Sequence, residues 1–373
     1  MRFDLSKYRD LFPVTREYAY LNHAACTGLP TPAVEAVARH WARQSAMGVL
    51  SEPETNAQIE RAREKMARLI GAQAGEIGWV PNTAMATLIV ANGIGCREGD
   101  NVVTVQGGFP ASVYPWLGLR RKGVEVRFVQ ARTGRVPVES IVEAMDSRTR
   151  ALNVSWVEFS TGFRHDLARL GQVCRERDVI FNVDAMQGLG ALQLDVEAAG
   201  VHFLGAGTPK WLMGPHGLGV FYARKDMLDR IEHITANWRS VPDSSDYLNY
   251  EQPWVDSASR VEGSTQNMSA IVAFDAVLDL IHEVGPPRIE ARIMQLTDML
   301  IDGLLSREYD LVSSLEPGER SGIVCFRAKG DPMELLARAE AEKIVIAVRL
   351  GVVRVSPHFY NDEEEIDRLL ALL

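Results

Sequence analysis

Cysteine is scarce and scattered in this sequence: Cys26, Cys96, Cys174 and Cys325 are the only four. No C-x-x-C pair and no His/Cys cluster at zinc spacing occurs, so neither a structural zinc nor a disulfide framework is expected. Reduced thiols of a cytosolic chain are the default. The N-terminal stretch MRFDLSKYRDLFPV lacks the apolar core of a secretory signal. No apolar run reaches the roughly 20 residues that a membrane helix needs. Blocks of like charge are missing too, and the net charge is −9, which argues against nucleic acid as a partner. Neither G-x-G-x-x-G nor G-x-x-x-x-G-K-S/T opens a helix, which disfavours a nucleotide-binding enzyme. What remains is a cytoplasmic chain that handles a small molecule.

The 373 residues, 46% of them apolar, suffice for two domains or for one large α/β unit with an appendage. Short apolar runs at Ile77–Val80, Val102–Val105, Val124–Val129, Arg150–Val154 and Val179–Val183 alternate with helical patterns, among them 138–145 and 165–177. That alternation predicts a mostly parallel sheet between helices, with ligands at the carboxyl ends of its strands. Residues 1–20 read as an arm that Leu5, Leu11, Phe12, Val14 and Tyr18 could dock. A large domain is expected over 21–265 and a small α+β domain over 266–373. Residues 236–258 read as a long loop over the site.

One stretch carries reactive groups. The apolar run Val179–Val183 ends at Asp184, with Gln187 one turn later; the run Val201–Gly205 leads through Gly207-Thr208-Pro209 to Lys210. A lysine amine can form a Schiff base with an aldehyde. An aspartate can keep a pyridine nitrogen charged, so the ring becomes an electron sink, and a glutamine can bond its phenolic oxygen. These parts describe pyridoxal 5′-phosphate (PLP). The ordered set Asp184-Ala185-Met186-Gln187 and Lys210-Trp211-Leu212-Met213-Gly214-Pro215-His216-Gly217 resembles the class V aminotransferases of fold type I, the group that includes cysteine desulfurases, selenocysteine lyases and isopenicillin-N-epimerase-like proteins.

The resemblance runs from about Tyr18 to the C-terminus and implies further roles. Lys210 and Asp184 would be catalytic. The turn at Pro81-Asn82-Thr83-Ala84 would hold the cofactor phosphate on Thr83 and Ala84, at a helix N-terminus. Phe109 would lie on the ring, Gln187 against its oxygen, and Thr208 would supply a hydroxyl. Ser264 and Thr265, in Arg260–Asn267, would reach the cofactor of a neighbouring subunit, so a homodimer with a shared site is implied. Asn22 and His23 match a loop over the substrate. Arg354, and beside it Arg349, would grip the carboxylate of a small amino acid.

Departures from the family pattern bear on the reaction. Phe109 replaces a stacked histidine, and a phenyl ring cannot shuttle a proton. Pro209 stands where many relatives carry another histidine. Desulfurases carry a nucleophilic cysteine on a loop between the strands that here hold Arg349 and Arg354; in this chain only Leu350–Val353 joins them. A persulfide-forming desulfurase is therefore not expected. The expectation is a PLP enzyme acting at the α-carbon through an external aldimine: an aminotransferase, with a C–S lyase or epimerase without a catalytic cysteine as the alternatives. Glu158 is a polar candidate without a role.

Overall fold

A computed structural model describes residues 6–131 and 134–373. Leu5, one residue of the expected arm, lies outside them. The chain enters through a short helix α1 (Ser6–Arg9) and a two-residue strand β1 (Ala19–Tyr20), followed by helices α2 (Thr31–Met47) and α3 (Glu52–Ile70). Pro32 at the start of α2 and Gly48 after its end follow the usual asymmetry of helix termini. Strand β2 (Ile77–Val80) then leads into helix α4 (Thr83–Gly93).

The central sheet is completed by β3 (Asn101–Val105), β4 (Glu125–Val129), β5 (Thr149–Ser155), β6 (Ile180–Asp184), β7 (Phe203–Gly207) and β8 (Gly219–Ala223), with α5 (Pro110–Leu117), α6 (Val138–Ala144) and α7 (Leu167–Glu176) between them. The order is β2-β8-β7-β6-β5-β3-β4, and only β8 runs against its neighbours. Most of these strands are buried along their whole length, as expected of strands covered on both faces. The fold is therefore α/β, with a mostly parallel sheet between helices. Helix α5, opened by Pro110 and interrupted by Pro115, is an element that the sequence pattern does not predict.

Because the parallel strands share one direction, β2, β3, β5, β6 and β7 all release their loops on one edge. Helix α4 lies close to that edge because β7 carries glycine beneath it. A Cβ on Gly205 would come within 2.5 Å of the Ala86 side chain.

Helices α8 (Met268–Val284) and α9 (Pro286–Leu305) follow. Helix α8 packs into the main core beside α2 and α3, and the second core begins along α9 at Leu296. That second core is closed by β9 (Val324–Phe326), α10 (Pro332–Ala341), β10 (Ile344–Val345), β11 (Ala347–Arg349), β12 (Val352–Val355) and α11 (Glu363–Leu372). Strand β1 pairs with β10, so the start of the chain is stitched to the small sheet region. The apolar run over 344–348 divides: its first half pairs with β1, its second with β12.

The segment leading to α8 is anchored by a buried ion pair. Arg63 Nη1 lies 2.6 Å from Glu262 Oε1, which also accepts from the Trp79 N–H at 2.9 Å. Both charges are about 95% buried; Arg63 also meets Glu60 and the Ile77 carbonyl, while Glu262 has, among the described residues, no second cation. Glu262→Ala should lower stability by about 3–5 kcal/mol, read as the urea unfolding midpoint. A loss below about 1 kcal/mol, the worth of an exposed pair, would show that this tie does not hold the segment.

Candidate active site

The loops at the carboxyl edge enclose a cavity of about 250 Å³, lined by Asn82, Thr83, Ala84, Phe109, Ala111, Ser155, Val157, Phe159, Asp184, Met186, Gln187 and Lys210. Six of the residues singled out in the sequence thus meet in one place. A larger cavity of about 720 Å³, lined by Arg135, Trp156 and His165 among others, holds neither the lysine nor Asp184. Its arginines are already paired, Arg135 with Glu319, Arg164 with Glu290 and Arg169 with Glu139.

Asp184 is the last residue of β6 and is buried. Burial pushes its carboxyl up to about 6, while the Met186 N–H at 2.9 Å and the nearby Lys210 charge act in the opposite direction. Lys210 follows β7, and burial brings its amine down to about 8, opposed by Asp184 and reinforced by Arg354 and Arg349. The amine lies 5.5 Å from the centre of the Phe109 ring. Phe109 is 44% exposed, so it faces the cavity and is not a core residue. Phe159 meets it edge-on at 5.3 Å, an aromatic wall that nothing in the sequence pattern singled out.

Thr83 and Ala84 open α4, whose first N–H groups have no partner within the helix. Asn82 caps the helix through Met85 N, and Thr83 Oγ1 accepts from Gly207 N at 2.9 Å, which locks the turn to the lysine loop. Gln187 accepts from Trp211 Nε1 and donates to Ala24 O, both at 3.0 Å, and keeps one amide hydrogen. Met186 also lines the cavity; its place inside the Asp-x-x-Gln spacing was the available signal.

Other expected residues lie elsewhere. The Thr208 hydroxyl donates to Pro215 O at 2.6 Å, shaping the Gly214–Gly217 loop and not facing the cavity. His23 is fully buried, with Nδ1 at 2.7 Å from Ser356 O and Nε2 at 2.7 Å from Tyr360 Oη, so both ring nitrogens are engaged. Asn22 stands beside it, its buried Oδ1 without a hydrogen-bond partner. Ser264 accepts from Trp238 Nε1 at 2.8 Å and Thr265 is exposed; neither lines the cavity of its own chain. The 236–258 loop encloses a separate pocket near these residues instead of covering Lys210. Glu158 is buried against His165 Nε2 at 2.9 Å, outside the cavity lining.

Arg354, on β12, is 98% buried, yet among the described residues it pairs with no carboxylate. Its Nη1 donates to Phe159 O at 3.0 Å and its Nε has no partner. Burial, and Arg349 beside it, bring it down to about 10. Arg349 is exposed at the end of β11, where a two-residue turn, Leu350-Gly351, reverses the chain with positive φ at both positions.

This set fits PLP. The cavity offers an amine, an aromatic face, a buried carboxylate and free helix N–H groups, the kinds of group that such a ring, its nitrogen and its phosphate call for. Among the described residues no cluster of His, Cys, Asp or Glu could hold a metal, and no helix is long and apolar enough to cross a membrane.

Comparison with known proteins agrees with this geometry. The sequence profile of the aminotransferase class-V family matches residues 19–369. A probable cysteine desulfurase of Methanothermobacter thermautotrophicus is 30% identical, over 97% of this chain and 95% of its own. An uncharacterized aminotransferase of Bacillus subtilis is 25% identical over 96% and 95%. The apo cysteine desulfurase of Thermococcus onnurineus superposes with a TM-score of 0.90 at 25% identity, over 100% of this chain and 97% of its own. A cystine C–S lyase solved with its product cysteine persulfide shares the fold, with a TM-score of 0.89 at 24% identity over 96% and 98%.

The amine reacts only when neutral, so aldehyde capture by Lys210 should rise with pH and level off above about 8. Asp184→Asn removes the charge that holds the proton on Lys210, so the profile should move to lower pH. Capture trapped by borohydride reduction and mapped by mass spectrometry checks both; an unmoved profile in the variant would show that the two groups are uncoupled.

Proposed function

The chain belongs to the aminotransferase class-V family of PLP-dependent enzymes, and on that premise we propose that it cleaves the carbon–sulfur bond of a small amino acid such as cysteine. The observation that carries an amino-acid substrate is Arg354: a buried guanidinium without an acidic partner matches a carboxylate that arrives from outside, held by two parallel hydrogen bonds. Support for the carbon–sulfur bond comes from the relatives, which include cysteine desulfurases.

PLP, when bound, supplies an aldehyde for the amine and a ring that takes up an electron pair from the α-carbon. Lys210 would hold it covalently, the N–H groups of Thr83 and Ala84 its phosphate, Gln187 its phenolic oxygen and Phe109 its face. Asp184 would keep a positive charge at the ring nitrogen. Lys210 would take the proton from the substrate α-carbon; an amine near 8 is matched to that task. Phe109 and Pro209 can carry no proton, which leaves this lysine to do so. Arg354 would orient the carboxylate and so align the breaking bond, Arg349 would add a second positive charge, and Asn22 Oδ1 would offer an acceptor to the substrate.

Thr208 and His23 are not assigned to ligands, because their polar atoms are already bonded. Ser264 and Thr265 lie on the protomer surface, which supports the reading that they serve the site of a second copy in a cytoplasmic homodimer. We propose the division into an arm (1–20), a large domain (21–265) and a small domain (266–373) as the unit of that assembly. Transamination is the second reading, favoured by Lys210 being, among the described residues, the one amine that lines the cavity.

The test is a panel of amino acids scored for released sulfide, keto acid and inverted configuration. Sulfide or alanine from cysteine is expected; keto acid from many amino acids without sulfur release would replace this reading by transamination. Lys210→Ala should abolish turnover and the visible absorbance of the bound cofactor. Arg354→Ala should raise KM by roughly 10–100-fold, the worth of a charged hydrogen bond, with the absorbance unchanged.

A further inference from the structure

Trp211 stands next to the reactive lysine in the chain and is wholly buried. Its indole ring packs so tightly that a Cβ on Gly322 would come within 2.5 Å of it. Its backbone is held from the small sheet region, where His358 Nε2 lies 3.0 Å from Trp211 O. The Phe359 N–H donates to His358 Nδ1 at 2.8 Å, so the ring proton sits on Nε2 and the histidine is the donor to Trp211. Burial brings His358 down to about 4, which keeps it neutral in that role. On the cavity side, Trp211 Nε1 donates to Gln187 Oε1 at 3.0 Å, and Gln187 Nε2 donates to Ala24 O at 3.0 Å. An indole N–H cannot accept and a backbone carbonyl cannot donate, so these two partners admit only one orientation of the amide. Turned over, the amide would set N–H against N–H and oxygen against oxygen. Gln187 lines the cavity, and in the permitted orientation one of its N–H groups stays unspent.

We propose that Trp211 is a positioning residue: it fixes the Gln187 amide so that the group offered to the cofactor's phenolic oxygen is a hydrogen-bond donor, and His358 ties that setting to the small sheet. The inference rests on the cofactor assignment above and is independent of which substrate bond the enzyme breaks. A glutamine without such partners can present either end of its amide to a ligand. Only the nitrogen end suits an oxygen that carries negative charge. A donated hydrogen bond favours the charged form of its acceptor, so a phenolic oxygen that loses the donor holds a proton more tightly. The Ala24 carbonyl alone cannot enforce the orientation, because it leaves the amide oxygen without a partner. Two neighbouring residues thus have separate duties: Lys210 is the covalent anchor and Trp211 sets the polarity of the contact at the ring's oxygen.

The test titrates the visible absorbance of the PLP-loaded enzyme with pH, in the absence of substrate. Trp211→Phe keeps an aromatic ring and removes the N–H; its midpoint should lie about one pH unit above that of wild type, the worth of one hydrogen bond. Gln187→Met, which removes the donor itself, should raise the midpoint at least as far. The double variant should go no further than Gln187→Met alone, because the tryptophan acts through the glutamine. A tryptophan that only fills the core would change the urea unfolding midpoint and leave the titration where wild type has it. Should the smaller ring cost the protein its fold, replacement of Trp211 by benzothienylalanine retains the ring shape with sulfur in place of the N–H, and the same rise is expected. An unmoved midpoint once the N–H is gone, or single-variant shifts that add in the double variant, would overturn the assignment. A wild-type protein that takes up no PLP would instead remove the cofactor on which the proposal rests.

Discussion

Everything in the site depends on taking a lysine and a carboxylate out of water together. Burial alone drives both toward their neutral forms, Lys210 down to about 8 and Asp184 up to about 6. Each resists the effect on the other, because opposite charges in a poorly solvated cavity attract strongly. The result is an amine that can lose its proton near neutral pH and a carboxyl that can still carry charge when a cation sits against it. Neither property belongs to the isolated side chain.

The sheet makes that arrangement possible. Five strands that point the same way deliver the loops after β2, β3, β5, β6 and β7 to a single edge. Groups distant in sequence therefore meet: Thr83 receives a hydrogen bond from Gly207, and Phe109 stands over the lysine. Gly205 lets α4 settle close to the sheet, which brings its free N–H groups to the cavity. The small sheet contributes a cation by placing Arg354, buried, on β12; Arg349, on the same face two positions along, is exposed at the turn.

Much of this was legible in the sequence. Short apolar runs separated by helical patterns define a parallel sheet almost by themselves, and the Asp-x-x-Gln and lysine–Gly-Pro spacings mark its reactive edge. Side-chain partnership was not legible. His23 matched a loop over the substrate, but Ser356 and Tyr360, more than 300 positions away, take up both its nitrogens. Thr208 looked like a ligand until its hydroxyl met Pro215. Phe159 and the contact between Cys26 and His216 arise only when separate loops converge, and no local pattern announces such a meeting. The boundary of the second core was hidden for a similar reason: α8 and α9 are consecutive amphipathic helices, yet α8 sides with the main sheet.

The N-terminal segment has two allegiances. Ala19 and Tyr20 pair with Ile344 and Val345, and Asn22 bridges to Ser356, so its first half moves with the small sheet. Ala24 and Thr27 are bonded to Gln187 and Pro209, so its second half moves with the large one. It is a strap with one buckle on each body. Any rocking of one body against the other must pull on those few residues, and through Gln187 and Pro209 the strain would reach the loop that carries the lysine.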